Sequence, residues 1–287
     1  MSEEAHARAD AIDSLTTREL IEVMHIEDGR AVGAVEAALD GVATAVDQIA
    51  ACLRAGGRLH YFGAGTSGRL AVLDAAECPA TFGVAPDLVQ AHAAGDGEAE
   101  DDSDKGAGDA RDAALGAHDA VVGISASGKT AYVLAAVGEA RRAGSLVIGL
   151  SCAPGSPLGA AADISIEVDV GPEVIAGSTR LKAGTAQKVA LNMISTGVFI
   201  RLGHTYRGRM VDLVTGNEKL RGRAARMVRE LAGCSDERAH AALRDAGGSA
   251  KLAIVMLRCG IDSSAASARL SQARGDLAVA LGERGHG

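Results

Sequence analysis

The chain reads Leu59-His60-Tyr61-Phe62-Gly63-Ala64-Gly65-Thr66-Ser67-Gly68, an apolar run that ends in a loop of glycine and hydroxyl residues before a helical pattern begins. The same arrangement returns in Ala120-Val121-Val122-Gly123-Ile124-Ser125-Ala126-Ser127-Gly128. We call residues 63–68 the first hydroxyl loop and residues 123–128 the second hydroxyl loop. Glycine lets backbone N–H groups converge on an anion, and the N-terminus of the following helix supplies partial positive charge. Two such loops predict one pocket that holds a phosphate.

The composition limits the classes of protein to which the chain can belong. The 287 residues are 47% hydrophobic but only 2% aromatic, so the core must be built from aliphatic side chains. A net charge of −8 disfavours nonspecific binding to nucleic acid. The 5 cysteines are scattered without a C-x-x-C pair, which indicates a reduced compartment rather than disulfides or a zinc site. We read neither a signal peptide nor a membrane span, and therefore expect a soluble, cytoplasmic protein.

Apolar runs and helical patterns alternate through the middle of the chain. Two helices are predicted within 11–55, the second of them over 31–54. Strands are predicted at 58–62, 87–92, 119–124, 145–150 and 163–168. Helices are predicted at 68–78, 105–115, 130–143 and 182–202. This alternation predicts an α/β fold, a doubly wound parallel five-stranded sheet flanked by helices, with ligands at the carboxyl ends of the strands.

Short alanine-rich helices follow from about residue 222 to the end of the chain. They are predicted at 222–231, 235–245, 249–258, 262–271 and 275–282. Ser235 and Asp262 stand where N-caps are expected. The sequence thus predicts N-terminal helices over 1–55 that pack on an α/β domain over 56–221, followed by a small helical subdomain over 222–287.

Each hydroxyl loop also matches a nucleotide-binding pattern. The first loop fits G-x-G-x-x-G, but the acidic residue expected near the end of the next strand, at about 88–92, is missing. The second loop, extended by Lys129-Thr130, fits the P-loop pattern G-x-x-x-x-G-K-T. No clean apolar run ending in Asp follows to hold magnesium, and a P-loop would leave the first loop unexplained. We therefore disfavour a dinucleotide site and an NTPase.

Longer motifs in one continuous order resemble the sugar-isomerase (SIS) domain family, and within it the N-acetylmuramic acid 6-phosphate etherases. These motifs are Gly63-Ala64-Gly65-Thr66-Ser67-Gly68-Arg69-Leu70, Asp74-Ala75-Ala76-Glu77-Cys78-Pro79, the run from Gly123 to Thr130, the run from Gly171 to Lys188, and Asn192-Met193-Ile194-Ser195-Thr196-Gly197. The resemblance covers nearly the whole chain from about Ile12. The resemblance implies that Lys129-Thr130 is the basic-Thr pair of this family. The match to the P-loop pattern is then a coincidence.

The resemblance implies a lyase reaction. Enzymes of this family cleave the D-lactyl ether of N-acetylmuramic acid 6-phosphate, which gives N-acetylglucosamine 6-phosphate and D-lactate. The sugar ring opens, a proton leaves C2 beside the aldehyde, lactate is eliminated from C3, and water adds to the unsaturated intermediate. Such steps require proton donors and acceptors. Because the sequence has no cluster with metal-ligand spacing, we expect neither a metal nor another cofactor.

Two glutamates are the predicted acid and base. Glu77 lies in a helix that we expect Pro79 to end, and a buried carboxyl near an anion can stay protonated enough to act as an acid. The family's second carboxylate falls on Glu100, within Ala99-Glu100-Asp101. The interval after Glu77 is shorter than the family pattern, and the acidic run 96–104 also fits an exposed loop.

The predicted substrate- and phosphate-binding residues lie on three segments. They are Gly65, Thr66, Ser67, Gly68, Ser125, Ser127, Gly128, Lys129, Thr130, Ser178 and Lys182. Ser178 has a second interpretation, as a cap of the helix predicted over 182–202. The Thr-Glu…Asn segment associated with the family is not recognisable before Ala11.

Partners and alternative functions follow from the same resemblance. SIS proteins often complete a site across two chains, so we expect a homodimer, with the apolar face of the helix near 31–54 available for pairing. We expect a small sugar phosphate as substrate, and neither nucleic acid nor a membrane as partner. Two alternatives stay open: another SIS-fold sugar-phosphate enzyme such as an isomerase, and a sugar-phosphate-binding regulator without catalysis.

Overall fold

The computed structural model describes residues 6–7, 9–95, 97–212 and 218–284. The chain forms two compact units. The first unit comprises Met1–Ala76 and Pro86–Gly197, and the second comprises Glu77–Ala85 and Val198–Gly287. None of the described helices is long and apolar enough to cross a membrane.

The first unit is built on a five-stranded parallel sheet. Its strands are β1 (Leu59–Gly63), β2 (Val89–Ala93), β3 (Ala120–Ser125), β4 (Leu146–Ser151) and β5 (Ile164–Glu167). The order across the sheet is β2-β1-β3-β4-β5, and every neighbouring pair is parallel. Both β1 and β3 are buried along their whole length. This parallel five-stranded sheet confirms the predicted fold class. The strands could be recognised in the sequence because a strand buried on both faces is a continuous apolar run.

Helices surround this sheet and make up most of the second unit. In chain order they are α1 (Ala9–Ile12), α2 (Thr17–Ala34), α3 (Leu39–Arg54), α4 (Gly65–Phe82), α5 (Ser103–Asp112), α6 (Ala131–Arg142), α7 (Pro157–Ala161), α8 (Lys182–Arg201), α9 (Glu218–Ala232), α10 (Asp236–Asp245), α11 (Ala250–Cys259), α12 (Ser263–Gln272) and α13 (Leu277–Ala280). The second unit also contains a hairpin of β6 (Thr205–Tyr206) and β7 (Arg209–Met210). The predicted caps are confirmed, since Ser235 and Asp262 accept hydrogen bonds from the first turns of α10 and α12.

The helix predicted over 31–54 is in fact two helices. Residues 31–34 end α2, and a 3₁₀ turn at Val35–Ala38 precedes α3. Gly29 and Gly33 lower the helix propensity just before this break.

The apolar face of α3 is covered by its own unit. Its inward residues Val42, Val46, Ile49 and Leu53 are buried. A Cβ added at Gly41 would lie 3.0 Å from the backbone oxygen of Ser165 in β5, so the helix sits directly on the sheet. The expectation that this face is available for pairing with a second chain is therefore wrong for residues 42–53, whereas Val32 and Leu39 at the start of the predicted helix are exposed.

Candidate functional site

Both hydroxyl loops leave the sheet where the strand order reverses. The chain runs outward from β1 to β2 on one side, and from β3 to β5 on the other. Ligands of doubly wound sheets bind at the carboxyl ends of the strands at this switch point. Gly63 pairs with Ile124 in the register of β1 and β3. The two loops therefore start from adjacent positions on one sheet edge, as the sequence predicts.

The first hydroxyl loop becomes the first turn of α4. The helix begins at Gly65, three residues before the predicted start, so Thr66, Ser67 and Gly68 are helical. A Cβ at Gly68 would lie 2.9 Å from the backbone oxygen of Gly63, which explains why only glycine allows this close approach of helix and strand. The N-terminus of α4 thus lies at the carboxyl end of β1, where an anion is stabilised.

The second hydroxyl loop is shaped by its own hydroxyl groups. The buried Ser125 hydroxyl lies 2.7 Å from the Thr130 hydroxyl and accepts a hydrogen bond from the Gly128 N–H at 3.0 Å. Gly128 has a φ of +65°, a conformation that favours glycine. Ser127 is half-buried, and its hydroxyl accepts from the Lys129 N–H at 3.2 Å. Ser125 and Thr130 therefore hold the loop, and the contact of Ser127 and the exposed Lys129 with a ligand stays a prediction.

A cleft of about 290 Å³ opens beside the second hydroxyl loop. The residues that line it include Ser127, Lys129, Gly155, Glu173, Thr179 and Ala183. Glu173 is 1% exposed and accepts hydrogen bonds from the Lys182 and Ala183 N–H groups, at 3.0 Å each. An internal carboxylate thus occupies the N-terminus of α8. Sequence reasoning missed Glu173 because nine residues separate it from the helix that it caps.

Ser178 and Lys182 stand at the start of α8 in different surroundings. Ser178 is half-buried, and the capping role considered for it belongs to Glu173 instead. Lys182 is 3% exposed, and its ammonium lies 2.7 Å from the Glu27 carboxylate on α2. The His6 ring nitrogen lies 3.2 Å from the same carboxylate. Burial opposes ionisation of Glu27, but the hydrogen bonds from Lys182 and His6 outweigh it and lower the pKa of that carboxyl. The structure thus gives Lys182 an internal partner, and its contact with substrate stays a prediction.

The surroundings of Glu77 differ from the expectation in two ways. Helix α4 continues through Pro79 to Phe82, so the prediction that Pro79 ends the helix is wrong. The proline removes one helical hydrogen bond, but the bond from the Gly83 N–H to the Pro79 oxygen at 2.9 Å closes the last turn. Glu77 is exposed, so the expectation of a buried carboxyl is also wrong for the single chain.

A buried carboxyl does lie on α4, one turn before Glu77. Asp74 is 5% exposed and accepts hydrogen bonds from the Tyr61 hydroxyl at 3.1 Å and the Ser195 hydroxyl at 3.2 Å. The Lys188 ammonium is 3.6 Å away. Burial raises the pKa of Asp74 despite these contacts. Asp74 therefore ties α4 to β1 and α8 within the first unit.

Glu100 lies next to the first hydroxyl loop along the chain that follows β2. The Ala94 N–H donates to the Gly63 oxygen at 3.1 Å, and the Gly65 N–H donates to the Gly95 oxygen at 2.9 Å. Glu100 follows in a short 3₁₀ turn, Gly97–Glu100, and is half-buried. Most of the remaining acidic run 96–104 is exposed, and Asp96 lies outside the described residues.

Two histidines form a buried pair on adjacent strands. His60 of β1 is 0% exposed, and its Nδ1 lies 3.2 Å from Nε2 of His92 on β2. The two rings stack with centroids 5.5 Å apart. Within the described residues, Nε2 of His60 has no hydrogen-bond partner. Burial, with the nearby positive charge of Arg58, lowers the pKa of His60 to about 4.

Acid is expected to destabilise the protein through His60. The folded chain binds this proton only below about pH 4, whereas the unfolded chain binds it below about pH 6.5. The unfolded state therefore holds more protons between these values, and the free energy of unfolding falls by at most about 3 kcal/mol as pH drops through this window. Urea unfolding of the His60→Leu variant between pH 4.5 and 7.5 should show a flatter dependence. The exposed His118→Gln variant is the control, and equal slopes in all three proteins would contradict the assignment.

The described residues also include no cluster that could hold a metal ion. In the chain from residue 6 to residue 284, leaving out the parts that the structure does not describe, no group of three or more His, Cys, Asp or Glu residues is arranged to hold a metal ion.

The fold and the two loops define the chain as an SIS-domain protein. The SIS domain family matches residues 30–152. A phosphoheptose isomerase from Neisseria gonorrhoeae superposes with a TM-score of 0.51 at 22% identity, over 64% of this chain and 99% of that chain. A putative phosphosugar isomerase involved in capsule formation from Bacteroides fragilis gives 0.51 at 21% identity, over 70% and 99%. These two structures share the fold of this chain over the part that they cover.

Sequence relatives narrow the class further. A protein of Symbiobacterium thermophilum is 52% identical over 258 residues, which cover 87% of this chain and 86% of the relative. A protein of Rubrobacter xylanophilus is 50% identical over 280 residues, which cover 95% and 92%. Both relatives are named N-acetylmuramic acid 6-phosphate etherase. The chain belongs to the N-acetylmuramic acid 6-phosphate etherase family, which confirms the resemblance inferred from its motifs.

Proposed function

We propose that the protein is a carbon–oxygen lyase that cleaves the D-lactyl ether of N-acetylmuramic acid 6-phosphate. The products are N-acetylglucosamine 6-phosphate and D-lactate. The observation that carries this proposal is the pair of hydroxyl loops at adjacent carboxyl ends of β1 and β3, in a chain 52% identical to a named etherase. We also propose a cytoplasmic location, which the five free cysteines support.

The phosphate is assigned to the starts of α4 and α6. Both helices begin at the sheet edge where strand order reverses, and Thr130, the N-cap of α6, makes no side-chain capping hydrogen bond within the described chain. Hydroxyl groups of Thr66 and Ser127 and the ammonium of Lys129 supply further donors. The exposed Lys129 adds positive charge, and charge-assisted hydrogen bonds to phosphate are stronger than neutral ones.

Glu77 and Glu100 are assigned the proton transfers. With the sugar ring open, a carboxylate removes the C2 proton, and the electron pair of that bond forms the C2–C3 double bond. The C3–O bond breaks, and a carboxylic acid protonates the departing oxygen, which leaves as the hydroxyl of D-lactate. Water then adds its hydroxyl to C3 and a proton returns to C2. Each transfer needs a carboxyl group positioned at the reacting atom.

A homodimer would give Glu77 the cover that the single chain lacks. On α4 the exposed fractions are 46% for Val72 and 45% for Leu73, and on α2 they are 54% for both Ile21 and Ile26. The adjacent exposed side chains of Val72 and Leu73 support a surface on α4 for a second copy. Glu77 follows Leu73 by four residues, on the same side of the helix. A second copy seated on this part of α4 would therefore also enclose Glu77.

The test is incubation of the protein with N-acetylmuramic acid 6-phosphate and measurement of D-lactate and N-acetylglucosamine 6-phosphate. Release of both products in equal amounts is expected. Aldose–ketose interconversion of sugar phosphates without lactate would favour the isomerase alternative. Sugar-phosphate binding without turnover would favour a regulator, and either result would overturn the proposal.

Replacing Glu100 with alanine is expected to slow exchange of the C2 proton with solvent by about 10²–10⁴-fold, the range of general acid–base catalysis. Deuterium incorporation at C2, followed by NMR, measures this rate directly. Glu98→Ala and Asp101→Ala are matched controls, because both side chains are exposed in the same acidic segment. If C2 exchange is unchanged in the Glu100 variant but slow in one of the controls, the residue replaced in that control is the one that acts on the C2 proton.

A further inference from the structure

Gln187 on α8 is a buried amide with one of its two polar atoms unpaired among the described residues. The side chain is 1% exposed. Its carbonyl oxygen accepts a hydrogen bond from the Ser67 hydroxyl at 2.9 Å. Its Nε2 has no hydrogen-bond partner among the residues that the structure describes. Buried polar groups are nearly always paired, so an amide left in this state requires an explanation.

Rotating the Gln187 side-chain amide by half a turn exchanges its oxygen and nitrogen positions and leaves its shape unchanged. The oxygen and nitrogen of a glutamine side chain differ little in size, and their assignment follows from the hydrogen bonds around them. In the turned orientation Nε2 donates to the Ser67 oxygen, and the unpaired atom is the carbonyl oxygen. An unpaired carbonyl oxygen is tolerated better than an unpaired N–H group. Turning also releases the single hydroxyl proton of Ser67, which the first orientation uses on Gln187.

Ser67 lies at the start of α4, one of the two helix ends to which the phosphate is assigned. It is the third residue of α4, in the helical turn at the carboxyl end of β1. The first turn of α8 packs beside it, since a Cβ at Gly184 would lie 3.4 Å from the Thr66 side chain. The neighbouring residue Ala183 lines the cleft together with Ser127. Gln187 follows Ala183 by four residues on the same side of α8.

We propose that Gln187 is a positioning residue that controls whether the Ser67 hydroxyl can donate to the phosphate of the substrate. Without ligand the amide accepts the Ser67 proton, so this buried donor is paired. With the phosphate bound, the amide turns and donates to Ser67, and Ser67 donates to a phosphate oxygen. Gln187 acts through Ser67 and does not touch the ligand. This inference rests on the proposed function, which supplies the sugar 6-phosphate.

The first test replaces Gln187 with glutamate. A carboxylate only accepts, so it holds the Ser67 proton and repels the phosphate. The Kd for N-acetylglucosamine 6-phosphate, measured by titration calorimetry at pH 7.5, should rise at least about tenfold. KM should rise with kcat nearly unchanged. As pH falls and the new carboxyl is protonated, the ratio of variant to wild-type Kd should shrink. The exposed Gln48→Glu variant carries the same change of charge and should bind like wild type.

A double-mutant cycle covers the case in which the glutamate variant fails to fold. Gln187→Met removes the amide with similar volume, and Ser67→Ala removes the hydroxyl. If Gln187 acts through Ser67, the double variant should bind no more weakly than Ser67→Ala alone. Additive losses, or unchanged binding by both Gln187 variants, would overturn the inference and leave the proposed function intact. If wild type binds N-acetylglucosamine 6-phosphate no better than N-acetylglucosamine, the proposed function fails, and the inference fails with it.

Discussion

Replacing Glu77 with glutamine is expected to abolish D-lactate release while the sugar phosphate still binds. The amide keeps the shape of the side chain but cannot donate or accept the proton that the elimination requires. Positioned acids and bases typically contribute about 10²–10⁴-fold to a rate, so kcat should fall by at least this range. The Kd for N-acetylglucosamine 6-phosphate should change little, because the phosphate is assigned to the hydroxyl loops. Coupled D-lactate assays and calorimetry measure the two quantities separately.

The control for this experiment is Glu36→Gln. Glu36 is exposed in the 3₁₀ turn between α2 and α3 and has no proposed role, so its loss changes charge in the same way. Its activity should equal that of wild type. Normal turnover by the Glu77 variant would remove this residue from the mechanism, and Asp74 would then be the next carboxyl on α4 to test.

Breaking the ion pair between Lys182 and Glu27 is expected to have the largest effect on stability. Both side chains are buried, and their charged atoms lie 2.7 Å apart. Replacing Glu27 with leucine leaves a buried ammonium without its carboxylate, which should cost about 3–5 kcal/mol of the free energy of unfolding. Replacing Lys182 with methionine should cost less, because Arg30 and His6 also contact Glu27. Chemical denaturation followed by circular dichroism measures both losses.

The double variant separates the structural contact of Lys182 from its predicted contact with substrate. An apolar pair in place of a buried ion pair often recovers the lost stability, so Glu27→Leu with Lys182→Met should unfold near the wild-type midpoint. If KM is then normal, the ammonium has only a structural role. A large rise in KM in this stable variant would instead support the contact with substrate. A loss below about 1 kcal/mol in the Glu27 variant would contradict the stability prediction.

The sheet could be predicted because each strand carries its own local signal. Leu59–Gly63 and Ala120–Ser125 are buried on both faces, so apolar residues occur without interruption and end at glycine-rich turns. The break between α2 and α3 was not predicted, because the apolar residues keep helical spacing through the 3₁₀ turn and outweigh the weak signal of Gly29 and Gly33. The continuation of α4 through Pro79 was not predicted either, because proline inside a helical pattern usually ends or kinks the helix.

The candidate site could be predicted only where its residues are close in sequence. The hydroxyl loops are local backbone motifs, and the parallel register brings them together. The bond between Ser67 and Gln187 joins residues 120 positions apart, and the pair of Lys182 with Glu27 joins residues 155 positions apart. No spacing or periodicity records such contacts, so tertiary packing alone assigns Ser67 and Lys182 their partners. The exposure of Glu77 was missed because position within a helix does not specify what covers it.

The location of Glu27 affects where an expressed fragment of this SIS domain should begin. The region that matches the domain family begins at residue 30, three residues after Glu27. A fragment that begins at residue 30 would retain the sheet and both loops but would lack the Glu27 carboxylate that pairs with the Lys182 ammonium. Such a fragment should therefore be less stable than one that includes all of α2 and this ion pair.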